Sequence, residues 1–180
     1  MAEPVPPALA TARRGLFELY RERNASVWLE ATGSSMLPSI RQGTSLLVDF
    51  GARRVGLGEI AIFPLGRTIV AHRVVRLRPG PDGDLLLCKG DARLEFDPPV
   101  PAREVLGAVR ALRHDESGAA ETAVCSGPRA VRLARISAAI GDATTLARRA
   151  PRPLRRPALK LAHVSMRLVR AKSSARRRGG

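Results

Sequence analysis

The segment from Ala31 to Arg41 (ATGSSMLPSIR) presents a hydroxyl nucleophile on a sharp turn. Gly33 permits the bend, and Pro38 prevents the segment from continuing as a helix or as a paired strand. Ser35 is followed by the apolar Met36, which can anchor the turn in a core. The pattern alone is also typical of a serine-rich connection between two strands. Catalysis is therefore indicated only if partners occur elsewhere in the chain.

A histidine and two aspartates in later segments can supply those partners. His72 lies within the strand-like run TIVAHRVVRL, and Asp91 and Asp97 lie within CKGDARLEFD. A serine hydroxyl is a weak nucleophile at neutral pH and needs a base, and an imidazole base needs a carboxylate that fixes its tautomer and balances its charge. The order Ser, His, Asp across three segments therefore indicates a hydrolase.

Five short motifs in the chain resemble those of the signal peptidase I and LexA-like (S24/S26) serine peptidases, in the same order. The segment GSSMLP resembles the nucleophile box, GEIAIF a core strand, AHRVV the base box, KGDA the KGD box, and VLGAV the closing strand. They fall within residues 25–113, about half of the chain. The resemblance implies a small, bent β-domain with serine endopeptidase activity. It also implies a preference for small side chains beside the scissile bond.

The resemblance assigns roles to individual residues. Ser35 holds the nucleophile position immediately before methionine, and Ser34 is the competing assignment. His72 holds the base position, as in archaeal and endoplasmic-reticulum signal peptidases, whereas bacterial signal peptidases have lysine there. Lys89 is the alternative base, although a lysine must be desolvated to act near pH 7 and a histidine already titrates there. Arg73 is predicted to pair with a carboxylate as part of the scaffold.

The orienting carboxylate and the oxyanion donors stay open at this point. Asp91 is favoured over Asp97, because the glycine before Asp91 allows a bend that would aim its carboxylate at the base. The backbone N–H of Ser35 is the first oxyanion donor. Many signal peptidases supply a second donor from a serine two residues before the nucleophile. This chain has Gly33 there, which leaves another backbone N–H or Ser34 as substitutes.

Short apolar runs separated by turns predict the elements that position these residues. The expected strands cover residues 26–32, 44–50, 59–64, 68–77, 84–89 and 104–112. Strands of this length without intervening helices predict a mainly β fold built on a strongly bent antiparallel sheet. Leu65, Gly66 and Arg67 are expected to form the turn of a hairpin between the third and fourth strands.

Helices are expected only towards the two ends of the chain. The first, over residues 8–23, would cover the sheet, and its apolar face is formed by Leu9, Ala12, Leu16, Leu19 and Tyr20. Two basic amphipathic helices are predicted over residues 128–146 and 158–171, followed by a disordered basic end at 173–180. The apolar face of the first of these contains Leu133, Ile136 and Ile140.

The positive charge is concentrated in one part of the chain. The net charge is +15, and residues 128–180 hold 15 of the 31 Lys and Arg residues but one of the 16 acids, a net +14 that leaves +1 elsewhere. This contrast divides the chain into four parts. They are an N-terminal helical segment (1–24), a peptidase-like β-domain (25–113), a polar linker (114–127) and a basic tail (128–180).

Two functions from different classes follow. The first is a serine endopeptidase that cleaves an extended segment of a leader, signal or pro-segment peptide. The alternative is a catalytically inactive peptidase-like scaffold whose Arg-rich tail binds a membrane or nucleic acid. Basic amphipathic helices suit an anionic membrane surface. Nucleic acid is the less favoured partner, because the tail lacks interleaved aromatic residues that could stack on bases.

Location and cofactors are constrained by what the sequence lacks. Residues 1–7 have no cationic start or apolar run of the kind found in signal peptides, and no window approaches ~18 uninterrupted apolar residues. A cytoplasmic protein, free or peripherally bound to the membrane, is therefore expected. Cys88 and Cys125 are expected to be reduced thiols. The scattered histidines and cysteines do not have metal-ligand spacing, so no metal or other cofactor is predicted.

Overall fold

Two helices flank a β-sheet in a computed structural model of the chain, which describes residues 7–52, 54–113, 120–121 and 125–149. The helices are α1 (Pro7–Glu22) and α2 (Gly127–Arg149). The strands are β1 (Ser26–Glu30), β2 (Ser45–Asp49), β3 (Ile60–Leu65), β4 (Thr68–Arg78), β5 (Leu85–Lys89), β6 (Val100–Pro101), β7 (Gly107–Arg113) and β8 (Ala120–Glu121). The predicted mainly β fold is confirmed.

Every pair of neighbouring strands is antiparallel, in the order β1-β2-β7-β3-β4-β5-β6, with β8 beside β7. The register shifts between Leu47 and Val48 of β2 and between Val74 and Arg76 of β4. Such bulges bend the strands that carry them. The two-residue strands β6 and β8 were not predicted. In β6, Pro101 is tolerated because the strand is short and lies at the edge of the sheet.

Helix α1 packs on the sheet through aromatic rings. The rings of Phe17 and Tyr20 contact that of Phe50, with centroids 5.2 Å and 5.3 Å apart. Phe17 is buried, whereas Leu16 and Leu19 are exposed. The predicted apolar face is therefore correct for Tyr20 and omits Phe17, and its Leu16 and Leu19 are left exposed. The contact of both rings with Phe50, a residue distant in sequence, fixes the side of the helix that faces the sheet.

Helix α2 packs on the sheet through small residues rather than through the predicted aliphatic face. Its buried positions are Ala130, Ala134, Ser137, Ala138, Gly141, Thr144 and Ala147. Leu133, Ile136 and Ile140 are only partly buried. A Cβ atom added to Gly141 would lie 2.4 Å from the Phe96 ring, so the helix backbone lies directly against that ring. Small side chains permit this close approach, and larger ones on this face would prevent it.

The part of the basic region that forms α2 is thus integrated into the packed structure. Val75 of β4 is buried in one cluster with Ala134 and Ala138, and Leu87 and Phe96 pack against it. The remaining predictions for the tail, a helix over 158–171 and a disordered end at 173–180, lie outside the described residues.

Removal of α2 is expected to destabilise the protein. A chain that ends at Ser126 uncovers Val75, which is buried, and Leu87 and Phe96, which are partly buried. Full burial of one apolar side chain contributes about 1.5–3 kcal/mol, so the loss is expected to be measurable. A chain that ends at Arg149 keeps α2 and its contacts with the sheet, and it serves as the matched control. Urea unfolding measures both. Equal free energies of unfolding for the two truncations would contradict the packing of α2.

Candidate active site

Three side chains from separate segments form one hydrogen-bonded series. The Oγ of Ser35 lies 2.9 Å from Nε2 of His72, and Nδ1 of His72 lies 2.7 Å from Oδ2 of Asp97. His72 is 1% exposed and Asp97 is 9% exposed, whereas Ser35 is partly exposed. An accessible hydroxyl is therefore backed by a buried imidazole and a buried carboxylate. In this order of groups, the imidazole can take the hydroxyl proton and the carboxylate can stabilise the resulting positive charge.

The turn that carries Ser35 connects β1 to β2 and is anchored on both sides of the serine. The N–H of Ile40 donates to the Met36 carbonyl at 3.0 Å, and the N–H of Ala92 donates to the Ser35 carbonyl at 2.7 Å. Met36 is buried, and its Sδ accepts the N–H of Asp91 at 3.4 Å. The loop after β5 therefore fixes the backbone of the nucleophile turn.

The other predicted residues of the turn surround the serine. Gly33 lies at the wall of a cavity next to Ser35, and Ser34 is exposed. The carbonyl of Ser34 accepts the N–H of Leu37 at 3.2 Å, and the peptide bond between Leu37 and Pro38 is cis. The residue in contact with His72 is Ser35, not the competing Ser34.

His72 lies in the middle of β4, where it pairs across the sheet with Ala61 of β3, and its ring meets that of Phe63 edge-on. Asp97 is brought towards it by a backbone contact, since its N–H donates to the Cys88 carbonyl at 2.9 Å. Cys88 is fully buried. This burial, with a smaller contribution from the Asp97 charge, raises the pKa of the Cys88 thiol to about 12. Cys88 is therefore a neutral thiol and not a competing nucleophile.

Asp91 does not orient His72, which corrects the preference for it over Asp97. Its two carboxylate oxygens accept from Nε and Nη2 of Arg73 at 2.9 Å and 2.7 Å. Arg73 is fully buried and also donates to the Ser39 hydroxyl at 3.3 Å. A guanidinium that binds both oxygens of Asp91 fixes that carboxylate away from the imidazole. The carboxylate partner predicted for Arg73 is thus Asp91, which supports the nucleophile turn through Ser39.

Gly90 is required by close packing, which the sequence did not indicate. A Cβ atom at this position would lie 2.7 Å from the Ser35 carbonyl oxygen and 3.1 Å from Nε2 of His72. The chain also turns here, as expected of the KGD glycine, since the N–H of Arg93 donates to the Gly90 carbonyl at 2.9 Å. The glycine thus lets the loop after β5 touch the nucleophile and the base together.

Lys89, the alternative base, faces away from this group. It is fully buried, and its Nζ donates to Oγ of Ser137 on α2 at 2.9 Å. Ser137 lies in the tail, where no contribution to the site was expected. The lysine therefore connects β5, the strand that pairs with β4, to α2.

A cavity of about 660 Å³ opens beside Ser35, between α1 and the sheet. Its wall is mostly apolar and includes Leu16, Phe17, Ile40, Val48, Ile62 and Val70. Arg13 and Glu30 are the charged residues of this wall. Volumes of this size accommodate ligands larger than one small side chain. The nucleophile is thus next to a space suited to apolar groups.

Comparison with known families gives one finding. Residues 8–92 match the Peptidase S24-like family model. The match covers the nucleophile turn and the base strand, and it supports a peptidase-like fold of the S24/LexA-like superfamily. Asp97 and the whole of α2 lie beyond it. No curated protein matches the chain.

The described residues contain neither a membrane-spanning helix nor a metal-binding cluster. No helix in the described part of the chain has the length and apolar character needed to cross a membrane. Within residues 7–52, 54–113, 120–121 and 125–149, no group of His, Cys, Asp and Glu side chains could hold a metal ion.

Gly90→Ala is expected to destabilise the protein by about 1–3 kcal/mol, because the new methyl group overpacks a site with backbone and imidazole atoms as neighbours. Gly33→Ala is the matched control, since nothing lies within 4 Å of a Cβ atom added there. Chemical denaturation compares the two variants with the parent protein. If both variants unfolded like the parent, the loop after β5 would not lie against Ser35 and His72.

Proposed function

We propose that this protein is a serine endopeptidase in which Ser35 is the nucleophile, His72 the general base and Asp97 the orienting carboxylate. The observation that carries the proposal is the continuous series of contacts from Ser35 Oγ through both ring nitrogens of His72 to Asp97. The match of residues 8–92 to the Peptidase S24-like family supports a peptidase-like fold around this series.

The geometry supports a mechanism in which a single group, His72, both accepts and donates the transferred proton. Asp97 is an acceptor when ionised, so Nδ1 of His72 carries the proton that bonds to it and Nε2 is left to accept the Ser35 proton. Ser35 Oγ then attacks the scissile carbonyl, and the imidazolium is stabilised by Asp97. Nε2 gives the proton to the leaving amine. In the second half of the reaction His72 takes a proton from water, the hydroxide attacks the acyl group, and Nε2 gives that proton back to Ser35 Oγ as the acid product leaves.

The negatively charged oxygen of the tetrahedral intermediate must be stabilised by hydrogen-bond donors at the turn. The backbone N–H of Ser35 is the first proposed donor. A second would come from another backbone N–H of the turn or from the Ser34 hydroxyl, since Gly33 has no side chain to offer. The nucleophile turn would thus supply both the attacking oxygen and the hydrogen-bond donors.

The proposed substrate is an extended segment of a leader, signal or pro-segment peptide. The apolar cavity beside Ser35 supports a substrate with apolar side chains near the scissile bond. Its volume of about 660 Å³ exceeds the requirement of a single small side chain, so we propose that more than one substrate residue enters it. The preference for small residues directly at the cleaved bond remains part of the proposal.

Labelling with a fluorophosphonate, which modifies activated serine hydroxyls, tests the proposal without knowledge of the substrate. Intact-mass and peptide analysis should place the adduct on Ser35. His72→Ala should slow the labelling about 100-fold or more, because the general base is removed. Ser26→Ala, which changes an exposed serine at the start of β1, is the matched control and should label at the parent rate. Absence of labelling in the folded parent protein, or an adduct on Ser34, would contradict the assignment and favour the inactive scaffold.

We also propose that the basic region contacts an anionic membrane surface. Arg129, Arg132 and Arg135 are exposed on α2 and supply part of the positive charge of residues 128–180. Each basic residue near such a surface contributes about 1 kcal/mol, and the attraction is screened by salt. Sedimentation with phosphatidylserine vesicles at low salt should therefore exceed that with phosphatidylcholine vesicles. Equal sedimentation would contradict the membrane proposal, and binding to a random DNA duplex in its place would favour the nucleic-acid alternative.

A further inference from the structure

The position of Asp97 depends on a segment without regular secondary structure. Asp97 lies between β5 and β6, in the stretch 90–99, which contains neither helix nor strand. Its contact with Nδ1 of His72, at 2.7 Å, joins two groups that are 25 residues apart in the chain. A loop of this kind holds a side chain in place only if neighbouring elements fix the loop. The residues immediately before Asp97 show which element does so.

Helix α2 fixes the residue next to Asp97. A Cβ atom added to Gly141 of α2 would lie 2.4–2.7 Å from three ring atoms of Phe96, so the ring lies flush against the helix at this glycine. The guanidinium of Arg76 on β4 lies 5.4 Å from the centroid of the same ring and forms an ion pair with Asp142 of α2. The Phe96 ring is thus enclosed by the helix and by a strand residue bound to the helix.

Two more contacts tie the same stretch to α2. Glu95 forms an ion pair with Arg148 near the end of the helix. At the start of the stretch, the fully buried Lys89 donates to Ser137 of α2 at 2.9 Å. The exposed pair contributes little by itself, whereas the buried amine needs its partners because burial of an unpaired polar group is costly. Helix α2 therefore contacts the chain at the lysine of the KGD motif and again at Glu95, after the motif.

The helix also reaches the network that supports the nucleophile turn. A Cβ atom on Gly58 would lie 2.6 Å from the backbone of Ala130, so α2 touches the chain at this glycine. The carbonyl of Gly58 accepts from Nη1 of Arg73 at 2.8 Å. Both carboxylates near the base are thus connected to α2, Asp97 through Phe96 and Asp91 through Arg73. The match to the Peptidase S24-like family ends at residue 92 and does not include this helix.

We propose that α2 is a positioning element of the active site, which keeps Asp97 in contact with His72 by holding Phe96 against Gly141. This inference rests on the proposed serine peptidase function. Phe96 and Gly141 touch neither the nucleophile nor the cavity, so they are positioning residues and act through Asp97. Displacement of a catalytic group by about 1 Å can lower a rate up to about 100-fold, so a small change at the helix is expected to be visible in the chemistry.

Gly141→Ala tests the proposal, because its methyl group must push the Phe96 ring away from the helix. We expect fluorophosphonate labelling of Ser35 to slow about 10-fold or more. Gly15→Ala in α1 is the matched control. Nothing lies within 4 Å of a Cβ atom there, so this variant should label at the parent rate.

A second readout does not depend on activity. The Nδ1 proton of His72, bonded to a carboxylate, gives a far-downfield proton NMR signal that Gly141→Ala should weaken or shift and Gly15→Ala should not. If the Gly141→Ala variant does not fold, Phe96→Leu removes the ring contact while keeping an apolar side chain, with the same expected effects. A double variant, Gly141→Ala with Phe96→Leu, should recover part of the labelling rate, because the smaller side chain makes room for the methyl group.

The outcomes separate this inference from the proposed function. An unchanged labelling rate and an unchanged imidazole signal in folded Gly141→Ala or Phe96→Leu would overturn the role of α2. A parent protein that shows the imidazole signal but is never labelled would contradict the peptidase proposal. In that case the NMR signal still reports whether α2 controls the contact between His72 and Asp97.

Discussion

The contact between the buried imidazole of His72 and the buried carboxylate of Asp97 is the constraint on which the rest of the site depends. An imidazole that is 1% exposed has little access to water, so its two ring nitrogens need partners within the protein. Asp97 satisfies one nitrogen and Ser35 the other. The sheet places the base, the turn after β1 places the nucleophile, and the loop after β5 places the acid. Because the nucleophile is the outermost member, the series is open to a substrate at one end.

Two networks of different composition support this series. Arg73 and Asp91 form a buried ion pair that reaches the nucleophile turn through Ser39. Phe96 and the small residues of α2 form an apolar contact that supports the acid. The first network lies in the region matched by the Peptidase S24-like family, apart from the helix contact, and the second lies largely beyond it. The site therefore draws both on residues inside the matched region and on a helix outside it.

The nucleophile turn and the base strand could be predicted because their residues lie in short, ordered motifs. The choice between the two aspartates could not be predicted in the same way. Asp91 and Asp97 lie in one loop, and what separates their roles is Arg73, whose side chain is turned inward and takes both oxygens of Asp91. The burial of an arginine next to the base is a tertiary property. The packed face of α2 was missed for a similar reason, since a stripe of Ala, Ser and Gly has weak amphipathic character although it permits the closest approach.

The central claim concerns which groups share protons with His72, and ¹⁵N-edited NMR of the imidazole measures that most directly. With the His72 resonances assigned by comparison with a His72→Gln variant, the neutral imidazole should carry its proton on Nδ1 and not on Nε2. Asp97→Asn should change these resonances far more than Asp91→Asn. A protonated Nε2, or resonances that respond to Asp91→Asn and not to Asp97→Asn, would contradict the account.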